Sequence, residues 1–256
     1  MYRYPSVESA IFMFTYVNEI PLEKMITPLV GIIGNGAIGS TLHTLIDGSC
    51  VYGRNNSPQL QTHGTLIVAA PNGNRINILA DPAKDLEDCN ALIKTLKQCR
   101  YDRLIYISTL DVCWSDSKYA DNRRYLEDNI SNLHNYHIMR IGKAFAPDLP
   151  RSVLWDIKNN SKWLPKTNLA AANQWYPLSR FETDAANMIS NGTIFEHFSS
   201  APITNGAIVE YFAPHLTRRL SSFDTEIANV HNKDGKYTIP NEQVWQHFKK
   251  YFVDNT

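Results

Sequence analysis

A chain of 256 residues is long enough to bury a substantial core, either as one α/β domain or as a domain with a smaller lobe. Its 43% hydrophobic and 20% charged residues are typical of a globular protein, and its 25 basic residues equal its 25 acidic residues in number. This balance leaves no basic field for the backbone of a nucleic acid, and no apolar stretch approaches the roughly 20 residues that span a bilayer. We therefore expect neither a nucleic acid nor a membrane as a partner.

The first 24 residues do not show the charged, apolar and small-residue pattern of a signal peptide. Because Met25 directly precedes the first strand-like run, we interpret residues 1–24 as an N-terminal extension. The four cysteines lack Cys-x-x-Cys spacing and the eight histidines form no metal-binding cluster, so we predict no metal site. Reduced thiols are the simplest interpretation of these cysteines, and they indicate a cytoplasmic protein.

From Thr27 onward, short β-rich runs alternate with longer amphipathic stretches. The pattern predicts strands at residues 29–33, 50–53, 65–70, 103–108 and 136–141, and helices at residues 37–46, 86–99 and 119–133. Such alternation is typical of βαβ units, in which helices cover a parallel sheet. We therefore predict an α/β fold with a doubly wound parallel sheet.

The composition changes after Pro147, where tryptophans, prolines and asparagines appear in less periodic sequence. We predict a nucleotide-binding core at residues 25–147 and a small C-terminal lobe at residues 148–256, with elements that return to the core. No linker long enough to separate the two is evident.

A glycine motif follows the first predicted strand and opens the first predicted helix. It has the form G-x-G-x-x-G and comprises Gly34, Asn35, Gly36, Ala37, Ile38 and Gly39. In a Rossmann-type site these glycines permit the turn, the approach of a pyrophosphate, and close packing of helix and strand. The helix N-terminus favours the phosphate anion. A simple strand–turn–helix connection is the alternative interpretation.

The end of the second predicted strand indicates which dinucleotide binds. An NAD site usually carries a carboxylate there, whereas this chain has Gly53, Arg54 and Asn55 and no acid. Arg54 lies about 20 residues beyond the glycine motif, where a guanidinium can hold the 2′-phosphate of NADP with two hydrogen bonds. We therefore predict NADP rather than NAD, with a solvated surface arginine as the alternative.

Four further segments resemble the extended or atypical branch of the short-chain dehydrogenase/reductase family, which includes epimerases and dehydratases of nucleoside-diphosphate sugars. Residues 107–113 (ISTLDVC) resemble its strand end, and residues 119–127 (YADNRRYLE) resemble its tyrosine-centred helix. Residues 139–147 (MRIGKAFAP) resemble the segment that closes the nucleotide domain, and residues 173–178 (NQWYPL) resemble a segment of the substrate lobe. The similarity covers roughly residues 27–250 and is strongest in these short motifs.

The resemblance implies a Rossmann fold with a C-terminal substrate lobe, a catalytic Tyr119 aided by Thr109, and a nicotinamide beside them. It also implies a small-residue turn against the cofactor at Ala69, Ala70 and Pro71, and Ser108 is included among the cofactor-binding residues. In dehydratases of this branch an acid after the threonine transfers protons, which makes Asp111 a further catalytic residue. A homodimer through the Tyr119 helix and a role in polysaccharide or cell-envelope sugar synthesis follow from the same resemblance.

The chain departs from the family pattern Tyr-x-x-x-Lys at Arg123. An arginine four residues after Tyr119 keeps a cation on the same helix face, so we assign it to catalysis and to cofactor binding. It cannot act as a titrating relay, however, and the connection from Thr109 to Tyr119 is shorter than is usual in the family. As the alternative, Tyr119 lies on an ordinary amphipathic helix whose surface carries the ion pairs Arg123–Glu127 and Arg124–Asp128. Thr109 then simply ends a strand, and Asp111 caps a turn.

These sequence features are compatible with two functions. The first is an NADP-dependent epimerase, dehydratase or reductase of a nucleotide-activated sugar, with hydride transfer and acid–base chemistry by Tyr119 and Thr109. The second is an NADP-binding protein of the same fold with little or no catalysis. For the substrate pocket we name the polar residues Asn168, Gln174, Tyr176 and Arg180 from their positions alone.

Overall fold

The computed structural model describes residues 29–54, 56, 58, 61–147, 149, 150, 152–219, 230 and 235–253. Its strands are, in chain order, β1 (Val30–Ile33), β2 (Cys50–Tyr52), β3 (Thr62–Val68), β4 (Arg100–Thr109), β5 (Tyr136–Ile141), β6 (Lys143–Phe145), β7 (Ala172–Asn173), β8 (Trp175–Pro177), β9 (Phe195–Phe198) and β10 (Ile203–Thr204). Its α-helices are α1 (Ala37–Leu45), α2 (Arg75–Ala80), α3 (Pro82–Leu96), α4 (Lys118–Ile130), α5 (Val153–Lys158), α6 (Phe181–Ser190), α7 (Asn205–Phe212) and α8 (Asn241–Val253). The predicted N-terminal extension, residues 1–24, lies outside the described residues.

Within the described residues, six parallel strands form the central sheet in the order β2-β1-β3-β4-β5-β9. Ile32 in the middle of β1 pairs with Val51 of β2 on one side and with Ile67 of β3 on the other. The chain therefore leaves β1 toward one neighbour and later returns on the opposite side. In sheets of this kind, ligands bind beyond the carboxyl ends of the strands where the strand order reverses.

The predicted parallel α/β sheet is confirmed, and its five predicted strands lie at β1 to β5. The sixth strand, β9, was not predicted; it pairs with β5 and comes from the C-terminal half of the chain. Two short ladders accompany the sheet, one parallel between β6 and β8 and one antiparallel between β7 and β10.

Alternation of side chains along the strands produces one apolar cluster on each face of the sheet. Ile33, Leu66 and Leu104 belong to the cluster covered by α3 and α4. On the other face, Ile32 and Ile67 belong to a larger cluster that extends into the C-terminal half and includes the following buried aromatic residues: Trp175, Tyr176, Phe181, Phe248 and Tyr251. The C-terminal half thus supplies both a strand and core side chains, and the domain boundary after residue 147 stays a prediction.

Local signals set the ends of the two helices beside the sheet. At the start of α3, the Asp81 side chain accepts a hydrogen bond from the Lys84 N–H at 3.0 Å, and Pro82 occupies the first helical position. The predicted start at residue 86 was therefore four residues late. At the start of α4, the Ser117 hydroxyl accepts from the Ala120 N–H at 3.3 Å. None of the described helices combines the length and the apolar character needed to cross a membrane.

Candidate functional site

The three glycines of the motif after β1 have different structural roles. Gly34 has φ of +111°, and a Cβ atom there would lie 2.5 Å from the Ala69 carbonyl oxygen. A Cβ atom at Gly39 would overlap the Gly34 carbonyl oxygen. At Gly36, by contrast, a Cβ atom would meet nothing within 4 Å. Two glycines are therefore required by the turn itself, whereas the space at Gly36 is left open.

The N-terminus of α1 faces this open space with its backbone donors. Gly36 is the N-cap residue, and no side chain caps the helix or places an acid in its first turn. Asn35 and Ala37 are exposed on either side, and Ile38 is half-buried. Uncapped N–H groups and the helix dipole favour an anion at this position. The residues present therefore fit the pyrophosphate of a dinucleotide.

The turn after β3 lies against the glycine motif. The Ala69 N–H donates to the Ile33 carbonyl at 2.8 Å, which aligns the ends of β1 and β3. Ala70 and Pro71 follow, joined by a cis peptide bond, and all three residues are half-buried. The small side chains leave room along the carboxyl edge of the sheet, where the resemblance places the cofactor.

Arg54 follows β2 at the outer end of the same edge. Its side chain is 83% exposed, and its Nη2 lies 3.1 Å from Oδ2 of Asp88 in α3. The guanidinium is therefore accessible to a ligand phosphate, although a carboxylate already contacts it. Exposed ion pairs of this kind contribute little to stability, so a phosphate can displace the aspartate at small cost.

Tyr119, Thr109 and Asp111 lie together beyond the carboxyl end of β4. Thr109 is the last residue of the strand, and its hydroxyl accepts a hydrogen bond from the Asp111 N–H at 3.2 Å, so Thr109 rather than Asp111 caps the turn that follows. Tyr119, in the first turn of α4, is 8% exposed. Nη2 of Arg75, at the start of α2, lies 3.0 Å from Oδ2 of Asp111. The three residues named from the sequence are therefore neighbours in the fold.

The surroundings of the Tyr119 phenol act on its acidity in opposite directions. Burial raises the pKa of Tyr119 and is the largest effect, and the Asp111 carboxylate raises it further. Arg123, the neighbouring Thr109 hydroxyl and Arg75 each lower it, in that order of size. Since burial dominates, the pKa of Tyr119 lies above its ordinary value, and the phenol holds its proton at neutral pH.

Arg123 lies beside Tyr119, as its spacing predicted, and its guanidinium is bound by a buried carboxylate. Its guanidinium donates to both carboxylate oxygens of Asp85 at 2.9 and 3.0 Å and to the Asn72 carbonyl at 2.9 Å. The Asn122 amide also donates to Asp85, at 2.8 Å. The side chains of Arg123 and Asp85 are each 4% exposed, so this charge is neutralised between α3 and α4. Its guanidinium carbon nevertheless lies 4.8 Å from the centre of the Tyr119 ring.

The surface ion pairs weighed as the alternative for α4 do not form. Arg123 pairs with Asp85 instead of Glu127, and Glu127 is buried, where it accepts two hydrogen bonds from Arg140 Nε and one from Arg140 Nη2. Arg124 pairs with Asp121 at 2.9 Å and donates to two backbone carbonyls. The predicted pairs Arg123–Glu127 and Arg124–Asp128 were therefore wrong, because Arg123 and Glu127 have buried partners and Arg124 pairs with Asp121.

No family model and no curated protein matches the chain. Solved structures, however, do resemble it. UDP-glucose 4-epimerase from Thermotoga maritima, solved with UDP-glucose, is 12% identical with a TM-score of 0.61, over 88% of this chain and 99% of that one. The dTDP-glucose 4,6-dehydratase of Bacillus anthracis, solved with NAD, is 11% identical with a TM-score of 0.61, over 89% and 97%. The dTDP-4-dehydrorhamnose reductase of the same organism, solved with NADP, is 12% identical with a TM-score of 0.66, over 89% and 98%.

The chain has the fold of these enzymes. The resemblance to extended short-chain dehydrogenases is thereby confirmed for the Rossmann fold. At this level of identity the likeness concerns the fold alone, and the roles of individual residues stay predictions.

The Ser108 side chain is buried and hydrogen-bonded inside the protein. Its hydroxyl donates to Glu127 Oε1 at 2.5 Å, and it is 5% exposed. Because Arg140 pairs with the same carboxylate, the network joins the ends of β4 and β5 to α4. This arrangement does not favour the predicted contact between the Ser108 hydroxyl and a cofactor.

Of the four residues named for the substrate pocket, three have hydrogen-bond partners within the protein, and Tyr176 is buried. Gln174 is 3% exposed, and its amide donates to the Ser200 and Val230 carbonyls at 2.9 Å each. Tyr176 is fully buried in β8. Arg180 donates to Asp184 at 2.8 and 3.2 Å, and the Asn168 side chain accepts from the Ala170 N–H at 3.1 Å. The burial of Gln174 and Tyr176 does not favour direct contact with a substrate.

Two cations near the site were not predicted from the sequence. Arg75 lies at the start of a six-residue helix with no periodic signal, and its guanidinium carbon is 5.4 Å from the centre of the Tyr119 ring. Lys143 follows β5, with its ammonium 5.2 Å from the Trp175 ring, and burial lowers its pKa. Lys143 lies within the MRIGKAFAP segment, so its charge was an available signal, whereas no motif of the sequence pointed to Arg75.

Proposed function

We propose that the chain is an NADP-dependent epimerase, dehydratase or reductase that acts on a nucleotide-activated sugar. The observation that carries the proposal is the grouping of Tyr119, Thr109 and Asp111 beyond β4, at the same edge of the sheet as the open glycine motif. In parallel sheets this edge receives the ligand. The similar solved structures, which include an epimerase, a dehydratase and a reductase, support the general kind of chemistry.

Cofactor binding is assigned to the glycine motif, with Gly36 against the pyrophosphate and Arg54 against the 2′-phosphate. When bound, a nicotinamide cofactor supplies or accepts a hydride. The similar structures hold NAD or NADP, so the preference for NADP rests on Arg54 and on the absence of an acid at the end of β2.

Proton transfer is assigned to Tyr119, with Thr109 holding the reacting oxygen by a hydrogen bond. Because the pKa of Tyr119 is raised by burial, the phenol is protonated at neutral pH and acts first as an acid. Asp111, as a carboxylate next to Arg75, is suited to accepting a proton. Arg123 supports the phenol through its charge but is too deeply buried to contact a ligand.

The test is binding of NADPH and NADH to the folded protein, followed by cofactor fluorescence. We expect NADPH to bind more tightly, and we expect Arg54→Gln to remove that preference without weakening NADH binding. The variant Tyr119→Phe is expected to keep cofactor binding and lose turnover of a nucleotide sugar. Failure of folded protein to bind either cofactor would refute the proposal.

The second function, an NADP-binding protein with little catalysis, is favoured by one observation. Arg123 replaces the lysine of the family pattern, and its charge is neutralised by Asp85. Tight NADPH binding without turnover across a panel of nucleotide sugars would support this function. A homodimer through α4, a cytoplasmic location and a role in polysaccharide synthesis complete the proposal, and sedimentation tests the first of these.

A further inference from the structure

Two guanidinium groups flank the Tyr119 ring, and they differ in access to solvent. The guanidinium carbon of Arg123 lies 4.8 Å from the ring centre, and that of Arg75 lies 5.4 Å from it. The Arg123 side chain is 4% exposed, whereas the Arg75 side chain is 48% exposed. Arg75 is therefore the guanidinium of this pair that faces the ligand side of the tyrosine.

Arg75 also contacts the acid of the site. Its Nη2 lies 3.0 Å from Oδ2 of Asp111, whose side chain is 13% exposed. Burial raises the pKa of Asp111, and Arg75 followed by the Thr109 hydroxyl lowers it. A carboxylate that loses most of its water needs such a cation to stay ionised.

The other charged groups around this pair come from separate elements. Tyr119, on α4, interacts with the Asp111 carboxylate, and Arg123 acts on Tyr119 from the buried side. Lys143, on β6, repels Arg75 across the site. Arg75 is the cation in ion-pair contact with Asp111, so its removal leaves the carboxylate without a direct counter-charge among the described residues.

We propose that Arg75 is a positioning residue of the site, which holds the Asp111 carboxylate beside Tyr119 from the ligand side. Arg123 cannot take this role, because its donors are bound to Asp85 and Asn72. The inference rests on the proposed function for the reaction that Asp111 serves. The contact between Arg75 and Asp111 does not depend on it.

The experiment measures the titration of Asp111 directly, by NMR of protein labelled with ¹³C at the aspartate carboxyl carbon. Comparison with Asp111→Asn assigns the signal. We expect Arg75→Gln to move the Asp111 titration to higher pH by about 1 unit, since an opposite charge in contact lowers a carboxyl pKa by about 1 to 3 units. Arg75→Lys, which keeps the charge, is expected to shift it less. Arg54→Gln is the matched control, because it removes an exposed guanidinium paired with a different aspartate.

An unchanged Asp111 titration in Arg75→Gln would overturn the proposal. If this variant does not fold, Arg75→Met, which removes the charge and keeps much of the side-chain length, takes its place, and an unchanged Asp111 titration in it would overturn the proposal equally. Where a nucleotide sugar is turned over, the acid limb of the kcat/KM profile should move to higher pH in Arg75→Gln, in step with the NMR shift. A shifted Asp111 titration without turnover of any nucleotide sugar would support the positioning role of Arg75. It would count only against the proposed function.

Discussion

Arg123 and Asp85 form a buried ion pair with two hydrogen bonds, of 2.9 and 3.0 Å, that joins α4 to α3. Each side chain is 4% exposed. The pair lies beside the Tyr119 ring, so the charge next to the tyrosine belongs to the packing of two helices. The site is therefore built on a buried polar contact, and its integrity depends on that contact.

Removing the acid of this pair should be strongly destabilising. In Asp85→Asn the Arg123 guanidinium keeps its charge but loses its counter-charge in a buried place. We expect the free energy of unfolding to fall by about 3–5 kcal/mol, as is usual when one partner of a buried ion pair is removed. Urea denaturation of the purified variant measures this loss. Asp88→Asn, in the same helix, is the control, because its partners Arg54 and Lys84 are both exposed and the midpoint should stay unchanged.

Restoring the family residue in Arg123→Lys should not restore a family-type site. A lysine ammonium cannot reproduce the planar fork that reaches both Asp85 oxygens and the Asn72 carbonyl. We expect a loss of about 1–3 kcal/mol in stability from unmet hydrogen bonds and no gain in turnover. Denaturation and a kcat measurement on the same preparation check both expectations. A gain in turnover would instead indicate that the lysine reaches the ligand.

The sequence contained a signal for this pair that the prediction of α3 did not use. Asp81 and Pro82 are typical of a helix start, and a helix beginning there places Asp85 on the same face as Cys89, Leu92 and Leu96, all of which are buried. An acid on an apolar face requires a buried cation as partner. The late predicted start, at residue 86, removed Asp85 from the helix and with it the reason to seek that partner.

The glycine motif and the five strands β1 to β5 could be predicted because their signals are local. The strand β9 could not, since its four residues carry no clear alternation and its pairing with β5 depends on a connection of more than fifty residues. The contact between Arg75 and Asp111 likewise joins the start of α2 to the turn after β4, two segments that are distant in the sequence and meet only in the folded protein. Sequence reasoning therefore identified residues near the site but not the contacts between them.

The glycines offer a test that separates a phosphate site from a simple turn. Gly36 has φ of −73° and open space around it, so Gly36→Ala should leave stability nearly unchanged. The added methyl group would occupy the space assigned to the pyrophosphate, and we expect NADPH affinity to fall about tenfold or more, which is about 1.4 kcal/mol. Gly39→Ala should instead prevent correct packing of α1, because its Cβ would overlap the Gly34 carbonyl. Retained affinity in Gly36→Ala would support the simple turn.

Removing the charge of Lys143 should stabilise the protein. Among the described residues its ammonium has no hydrogen-bond or ion-pair partner, and burial lowers its pKa. In Lys143→Met the charge of this half-buried side chain is replaced by an apolar group of similar length, and we expect a gain of about 1 kcal/mol at neutral pH. Denaturation midpoints of the two proteins measure it. Such a gain would indicate that the lysine is kept for ligand contact rather than for folding.

The stability difference between the wild-type protein and Lys143→Met should also depend on pH. A lysine with a lowered pKa binds its proton less tightly in the folded state than in the unfolded state, so protonation weakens folding at neutral pH. The free energy of unfolding of the wild-type protein should therefore rise as the pH rises toward the pKa of an unfolded lysine, about 10.4. Its difference from the free energy of unfolding of Lys143→Met should become smaller over the same range. Lys158→Met is the matched control: that ammonium lies 5.0 Å from the Tyr251 ring but also donates to the Tyr251 carbonyl at 3.4 Å. We expect no gain there, and an equal gain in both variants would attribute the effect to added apolar surface instead of lost charge.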